Sequence, residues 1–514
     1  MEKNKKLIVL GVLALILIIS GITYAILTWT SSRVNIGLTS NCFTIDYTKG
    51  NDIANASIKA LNESDLISDN KFTIKEGIAL TYANIGIKSA CTIEGYGSLY
   101  LNVTTLSSAF STGNSKGALK YAVLDNTSTT NTVTVASLLN QQFNIVSTGS
   151  ITNTGKITLL TKQLSNTKLN KYLIVIYADV SKIANDAMDA SFNGTVSADA
   201  NQGEYIPAKE TLKVLNLSLS SGTPNFTKTS TVDGTNGIYS TEDDLGTSYY
   251  FRGNVTNNYV KFANKYWRII RINGDGTIRM IYAGTSAHAN GYDDSSANDM
   301  SIGTSAFNSS YNDNTYVGYM HGTAGASTYA NTHSNTTNST IKTKLDSWYD
   351  TNIVNTGNEK YIVDAIYCND RSVSSGTGIG TIVTTYAAQT RINNGKPTLK
   401  CTNNNDKFTK STTIGNGKLT KMIGLITTDE VMYAGGKSGT ANQEYYLYSG
   451  KYYWTMAPYS SASGNASVDY VGNGGGLYGA RVNDASGAVR PVVSLKSDAI
   501  SGGSGTATSP FLVG

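Results

Sequence analysis

Histidines and carboxylates build most catalytic and metal sites, and the three histidines of this chain are His288, His321 and His333. They form no His-x-x-x-His or Glu-x-x-His pair, so a histidine-based metal site is not predicted. A Ser-His-Asp site would need groups from distant segments, because no strand-to-helix turn carrying Gly-x-Ser-x-Gly is predicted. Loop histidines in solvent are the favoured interpretation, and the chain is not predicted to be an enzyme.

Two acidic segments raise the question of calcium. The turn Asn273–Gly276 lacks the alternating carboxylates and the distal glutamate of a calcium loop, and a tight hairpin explains it better. Asp293, Asp294 and Asp299 lie in a Gly/Ser/Asn-rich stretch that could supply oxygen ligands. A solvated loop is the favoured interpretation here. We therefore predict no metal and no cofactor, and calcium binding stays open.

The four cysteines are Cys42, Cys91, Cys368 and Cys401. None forms a Cys-x-x-Cys pair, which argues against a zinc ribbon or a thioredoxin-type site. In an exported chain two disulfides are the natural expectation, one in each domain, joining Cys42 to Cys91 and Cys368 to Cys401. Buried free thiols are the alternative.

A stretch near the C-terminus is rich in aromatic and amide side chains set among glycines. Rigid aromatic surfaces beside adaptable amides are typical of binding faces, because they lose little entropy on contact. We predict that the ligand-binding residues are Trp454, Tyr459, Tyr470, Asn473, Tyr478, Arg481, Asn483 and Asp484. The alternative for each is ordinary strand packing. Arg490, beside Pro491 in an apolar strand, is instead predicted to be a structural ion-pair partner.

The N-terminal sequence predicts on which side of the membrane these residues lie. A basic segment, residues 2–6, precedes an uncharged apolar run from Leu7 to Leu27, which is long enough to span a bilayer as a helix. Lysines on the leading side favour a cytoplasmic N-terminus and an extracellular C-terminal ectodomain. Thr23–Ala25 fits a cleavage site, so a retained anchor and a processed, secreted form both remain open.

Composition supports an exposed, polar, weakly charged molecule. Charged residues make up 15% of the chain and the formal net charge is +5, with no basic cluster, so nucleic acid is not a predicted partner. There are 33 tyrosines against 11 phenylalanines. Tyrosine suits strands and contact surfaces.

The elements that must position these residues fall into four segments. Residues 1–30 form the signal or membrane anchor. Residues 31–204 show the alternating apolar pattern of an all-β sandwich, as in Ile78, Leu80 and Tyr82, with a continuous apolar run at Tyr172–Tyr177 that indicates a central strand. Residues 205–224 predict a helical connector that begins at Pro207 and ends at Gly222.

Residues 225–514 predict an α+β domain. The run Trp267–Ile272, the turn Asn273–Gly276 and the run Thr277–Tyr282 predict a β-hairpin. Ser339 predicts the N-terminus of one helix, and Thr427 with Glu430 forms the capping box of another. Glycine-rich strands follow up to Lys496.

The ordered series Tyr249–Gly253, Trp267–Gly276, Thr427–Gly435, Tyr453–Met456 and Arg490–Val492 resembles uncharacterised surface proteins of Gram-positive gut bacteria. Their C-terminal halves are similar to the C-type-lectin-like fold, which formylglycine-generating enzymes share. That resemblance implies a ligand face near the C-terminal strands, which maps onto Trp454 to Asp484. The cysteines do not match the enzymes' cysteine pair. Thr23–Ala25 and the strands from Tyr172 to Ala198 resemble TasA/camelysin-type secreted sandwiches.

We therefore expect a membrane-anchored, non-catalytic cell-surface protein that binds an extracellular glycan or protein ligand. Two alternatives remain: a secreted fibre or biofilm-matrix subunit, and an enzyme of the formylglycine-generating type.

Overall fold

The computed structural model describes residues 43–46, 58–91, 94–126, 134–188, 190–202, 205–296, 298–462 and 464–514. The chain divides into two compact units, residues up to Tyr205 and Ile206–Gly514, and both are built mainly from β-sheets. No described helix is long and apolar enough to cross a membrane. The predicted span Leu7–Leu27 lies outside the described residues.

The first unit contains two sandwich-like sheets. The larger has the strand order Phe43–Asp46, Ala79–Ile87, Asn170–Asp179, Leu119–Asp125, Gln142–Ser150, Lys71–Thr73 and Ile67–Ser68, with Ala60–Leu61 beside Asn170–Asp179. The smaller has the order Phe192–Gln202, Gly95–Leu106 and Gly155–Leu164. Short helices lie at Glu63–Leu66, Ser108–Ser111, Val135–Leu138, Val180–Lys182 and Asn185–Ala187.

The predicted central strand of this unit is confirmed. Along Asn170–Asp179, Tyr172, Ile174 and Ile176 pack into one hydrophobic cluster. The alternate residues of the same strand, Leu173, Val175 and Tyr177, pack into a second cluster. Because successive side chains point to opposite faces, a strand buried on both faces needs a continuous apolar run, as this segment has.

The second unit holds one large sheet and one five-stranded sheet. The large sheet has the order Gly237–Asp243, Gly246–Arg252, Lys265–Ile272, Tyr259–Phe262, Phe511–Val513 and Ile500–Gly502, and Ile278–Gly284 joins Lys265–Ile272 to Val492–Leu495. The five-stranded sheet has the order Val373–Ser375, Thr384–Tyr386, Tyr453–Ala462, Asn465–Val471 and Leu477–Arg481. Short strand pairs are Met320–His321 with Thr337–Asn338, and Tyr367–Cys368 with Lys407–Phe408.

The helices of this unit are Pro207–Val214, Ser230–Asp233, Tyr329–Thr332, Thr340–Tyr349, Ala387–Asn394 and Thr428–Ala434, and a π-helical turn follows at Asp350–Val354. Single 3₁₀ turns lie at Asn314–Val317, Glu359–Tyr361 and Asn404–Asp406. The predicted capping box is confirmed, since Thr427 and Glu430 each accept a hydrogen bond from the other's backbone N–H. The cap at Ser339 is confirmed as well.

The helix predicted to reach Gly222 ends earlier, at Val214. Asn216 adopts a left-handed backbone with φ of 52°, which a continuing helix does not allow. Ala208 and Leu212 pack into the core of the second unit, and the Thr211 hydroxyl donates to the carbonyl of Gly276 at 2.7 Å. The helix therefore packs as part of the second unit.

Candidate ligand-binding face

Three tyrosines lie side by side at the end of the five-stranded sheet. Tyr470 and Tyr478 are direct cross-strand partners, and their ring centroids are 5.8 Å apart. The ring of Tyr452 lies 5.0 Å from that of Tyr470 in an edge-to-face contact. Tyr478 is 40% exposed, and Tyr452 and Tyr470 are half-buried. We call Tyr452, Tyr470 and Tyr478 the tyrosine strip.

Glycines allow the strip to lie flat on the backbone. A Cβ atom at Gly472 would come within 2.9 Å of the Tyr478 ring, closer than real side chains approach. Gly475 takes a left-handed backbone with φ of 82° in the turn that joins the strands of Tyr470 and Tyr478. The glycine-rich sequence thus positions the exposed rings.

A polar group borders the strip at Tyr452. The Tyr452 hydroxyl lies 2.7 Å from the hydroxyl of Ser486. Asp484 accepts hydrogen bonds from the Ser486 backbone N–H at 2.9 Å and from its hydroxyl at 2.6 Å. Burial raises the pKa of Tyr452. Partial burial acts to raise the pKa of Asp484, but the hydrogen bonds from Ser486 outweigh it and the net pKa is lowered. At neutral pH the strip therefore ends in a neutral hydroxyl beside a carboxylate.

The other predicted binding residues do not share this surface. Trp454 is 0% exposed, and its ring N–H donates to the carbonyl of Ser305 at 2.8 Å, so it belongs to the core. Tyr459 lies on the opposite face, where a Cβ at Gly479 would come within 2.3 Å of its ring. The sequence groups Tyr459 with Tyr470, but register shifts in the strand Tyr453–Ala462 put Tyr459 on the other face of the sheet.

The remaining predicted residues surround the strip or lie behind it. Asn473 is exposed in the glycine turn, and Asn483 is half-buried in the segment after the last strand of the sheet. Arg481 is exposed, and its guanidinium lies 5.1 Å from the Tyr311 ring. Strand alternation puts Arg481 on the face away from Tyr478.

Behind the strip, Asp469 is a buried carboxyl whose two oxygens have no hydrogen-bond partner among the described residues. Burial raises its pKa well above the usual value, and the negative charge of Asp429 adds to that effect while Arg391 opposes it. Burial therefore favours the protonated form of Asp469 in the folded protein. The sequence gives no sign of this, because nothing local distinguishes Asp469 from a surface aspartate.

A second candidate site is a cavity of about 40 Å³ lined by charged residues and by the disulfide. Its arginines are already paired: Arg271 with Asp243 at 2.6 Å and with Glu430 at 3.0 Å, and Arg391 with Asp429 at 2.8 Å. The volume suits ordered water rather than an organic ligand. We therefore interpret the cavity as part of a structural ion-pair network, which joins residues as far apart in sequence as Arg271 and Glu430.

His288 lies in a Ser-His-Asp cluster that cannot act as a catalytic relay. Its Nε2 lies 2.5 Å from Asp299 and 3.3 Å from the hydroxyl of Ser286, so both partners meet the same nitrogen. A relay needs the nucleophile and the orienting carboxylate on different nitrogens of the histidine ring. Asp294 accepts two backbone N–H groups in the same loop. No group of three or more His, Cys, Asp or Glu residues among those the structure describes is arranged to hold a metal.

The predicted disulfide between Cys368 and Cys401 is confirmed. Cys91 is also disulfide-bonded. Cys42 lies outside the described residues, so its pairing stays a prediction.

No family model matches the chain, and no curated protein matches it either.

Proposed function

We propose that this chain is a membrane-anchored, non-catalytic bacterial surface protein that binds an extracellular ligand through the tyrosine strip. The observation that carries the proposal is the contact of three partly exposed tyrosine rings, with centroids 5.0 and 5.8 Å apart, at one end of the five-stranded sheet. Tyrosines give large contact areas at low entropic cost, which is why binding faces use them. The second unit is proposed to have the C-type-lectin-like fold that the sequence resemblance implies.

A glycan is the ligand class that fits the strip best. The C–H faces of a sugar ring pack on aromatic rings, and its hydroxyl groups donate to carboxylates. The strip offers both: the rings of Tyr470 and Tyr478 and, next to Tyr452, the carboxylate of Asp484. A protein ligand is the competing outcome, because aromatic residues also form the hot spots of protein interfaces.

A glycan array tests this proposal. The purified chain is compared with the double variant Tyr470→Ala/Tyr478→Ala and with the control Tyr311→Ala, a tyrosine that is 36% exposed outside the strip. Binding of defined glycans by the wild type and the control, lost in the double variant, supports the proposal. Equal binding by all three proteins, or no glycan bound by the wild type, contradicts it.

A further inference from the structure

The second unit contains two buried arginines that differ from the rest. Four others that are buried have a carboxylate partner: Arg252 with Asp233, Arg271 with Asp243, Arg279 with Glu430 and Arg371 with Asp406. Arg268 and Arg490 are equally buried, yet neither has a carboxylate within ion-pair distance among the described residues. Buried charges are normally paired, so this contrast needs an explanation.

The hydrogen bonds of Arg268 and Arg490 go to neutral groups. Arg268 donates to the side-chain oxygens of Asn258 at 2.7 Å and Asn290 at 2.8 Å, and to the carbonyl of Val255 at 2.8 Å. Arg490 donates to the carbonyls of Tyr282 at 3.1 Å and Leu447 at 2.9 Å. The ion pair predicted for Arg490 is therefore wrong. Arg490 precedes the strand Val492–Leu495, and its carbonyl partners come from the strand Ile278–Gly284 and from Leu447.

Two buried donors in this region, the Nη2 nitrogen of Arg490 and the hydroxyl of Tyr446, have no acceptor in the described part of the chain. The ring of Tyr446 lies 5.4 Å from the Arg268 guanidinium. Burial raises the pKa of the Tyr446 hydroxyl, and the positive charges of Arg268 and Arg490 oppose that effect. The hydroxyl of Tyr453, next to Arg490, donates to the carbonyl of Leu447. Arg268, Tyr446 and Arg490 thus interact electrostatically, and we refer to them as one cluster.

Among the residues that the structure describes, none in the cluster supplies the missing negative charge. Burial raises the pKa of Tyr446, so its hydroxyl keeps its proton at neutral pH. Burial lowers the pKa of Arg268 to about 10, and the charge of Arg490 contributes, but Arg268 remains a cation. Glu430 is held by Arg271 and Arg279, and Asp294 is held by backbone N–H groups.

We propose that the Arg268–Tyr446–Arg490 cluster binds a small monovalent anion of the halide class, such as chloride. The anion would accept from Arg490 Nη2 and the Tyr446 hydroxyl and offset the charge of Arg268. A buried water could fill the two donor positions but would neutralise no charge, so the two occupants are distinguishable. The proposal does not depend on the proposed ligand-binding function.

Thermal unfolding in different salts tests the site. The purified full chain is melted in sodium chloride, sodium bromide and sodium gluconate at equal ionic strength, which keeps general screening constant. A bound halide raises the melting temperature with the logarithm of its concentration above the Kd, by roughly 5 °C for a hundredfold increase in chloride, while gluconate does not. Arg490→Gln should lose this chloride dependence, and Arg252→Gln, which breaks a carboxylate pair, should keep it.

Crystals of the wild type grown in sodium bromide provide the direct measurement and do not depend on how the variants fold. An anomalous bromide peak within hydrogen-bond distance of Arg490 Nη2 and the Tyr446 hydroxyl is the expected result. A peak without anomalous signal at that position means water and overturns the proposal. Equal melting temperatures in chloride and gluconate, or a chloride effect that survives in Arg490→Gln, also overturn it.

Discussion

The carboxyl group of Asp469 is buried behind the tyrosine strip, and no residue that the structure describes donates to either of its oxygens. Because burial raises its pKa in the folded state, folding keeps a proton on a group that the unfolded chain releases above about pH 4. The unfavourable contribution of Asp469 is therefore absent below the unfolded pKa and grows as the pH rises from about 4 toward neutrality.

Asp469→Asn should accordingly stabilise the protein at pH 7, by roughly 1 kcal/mol or more, and change little near pH 4. Urea unfolding of the wild type and the variant at both pH values measures the difference. A variant that is less stable than the wild type at pH 7, or equally shifted at both pH values, would show that the carboxyl has an ionic partner.

Single residues also mark where sequence reasoning stops. Aromatics among glycines predicted a surface position for Tyr470 and Tyr478, and both are at least partly exposed. Trp454 has the same local signature but is buried against Ser305 and Phe307. Binding by the two tyrosines stays a prediction. The partners of Arg490 come from Tyr282 and Leu447, distant in sequence. Local patterns indicate which side chains are notable, but burial depends on packing between remote segments.

At the scale of elements, the disulfide Cys368–Cys401 holds the short strand Tyr367–Cys368 to a segment 33 residues away. Closing a loop of this length restricts the unfolded chain and stabilises the fold by about 3–4 kcal/mol. Replacing both cysteines by serine should lower the unfolding free energy by about that amount in chemical denaturation. Dithiothreitol should destabilise the wild type to a similar extent and leave the stability of the variant's second unit unchanged. A double variant as stable as the wild type would contradict this role.

Elements with local signals were predictable. The hairpin of Lys265–Ile272 and Ile278–Gly284 and the helix Thr428–Ala434 follow from turn residues and a capping box that lie next to them in sequence. The end of the helix at Val214 did not follow, because Leu215 and Leu219 continue its apolar stripe. Leu215 is buried but Leu219 is 51% exposed, so only the first continues the packing.

At the scale of the whole molecule, the basic leader and the apolar run Leu7–Leu27 predict an N-in, C-out orientation. Protease added to intact cells should therefore degrade both units, and fractionation should leave the undigested chain in the membrane. Full protection until lysis would contradict the orientation. Recovery of the chain in released fibres would instead favour the matrix-subunit alternative.

The division of the molecule into two units near residue 205 was predictable from the change of pattern at Pro207. The sandwich-like sheets of the first unit follow from alternating and continuous apolar strands, whose period is local. The ion-pair network of the second unit was not predictable, since its members come from strands and helices that only the fold brings together, as Asp243 and Glu430 do around Arg271.

The most direct test of ligand binding by the tyrosine strip is a paired measurement of affinity and melting temperature. The strongest glycan from the array is titrated into the wild type, Tyr470→Ala/Tyr478→Ala and Tyr459→Ala, whose ring lies on the opposite face of the sheet. Loss of hot-spot tyrosines typically costs at least ~2 kcal/mol, so the double variant should bind at least ~30-fold more weakly with a nearly unchanged melting temperature. Tyr459→Ala should keep wild-type affinity. Unchanged affinity in the double variant, with loss of binding in Tyr459→Ala, would contradict the assignment of the face.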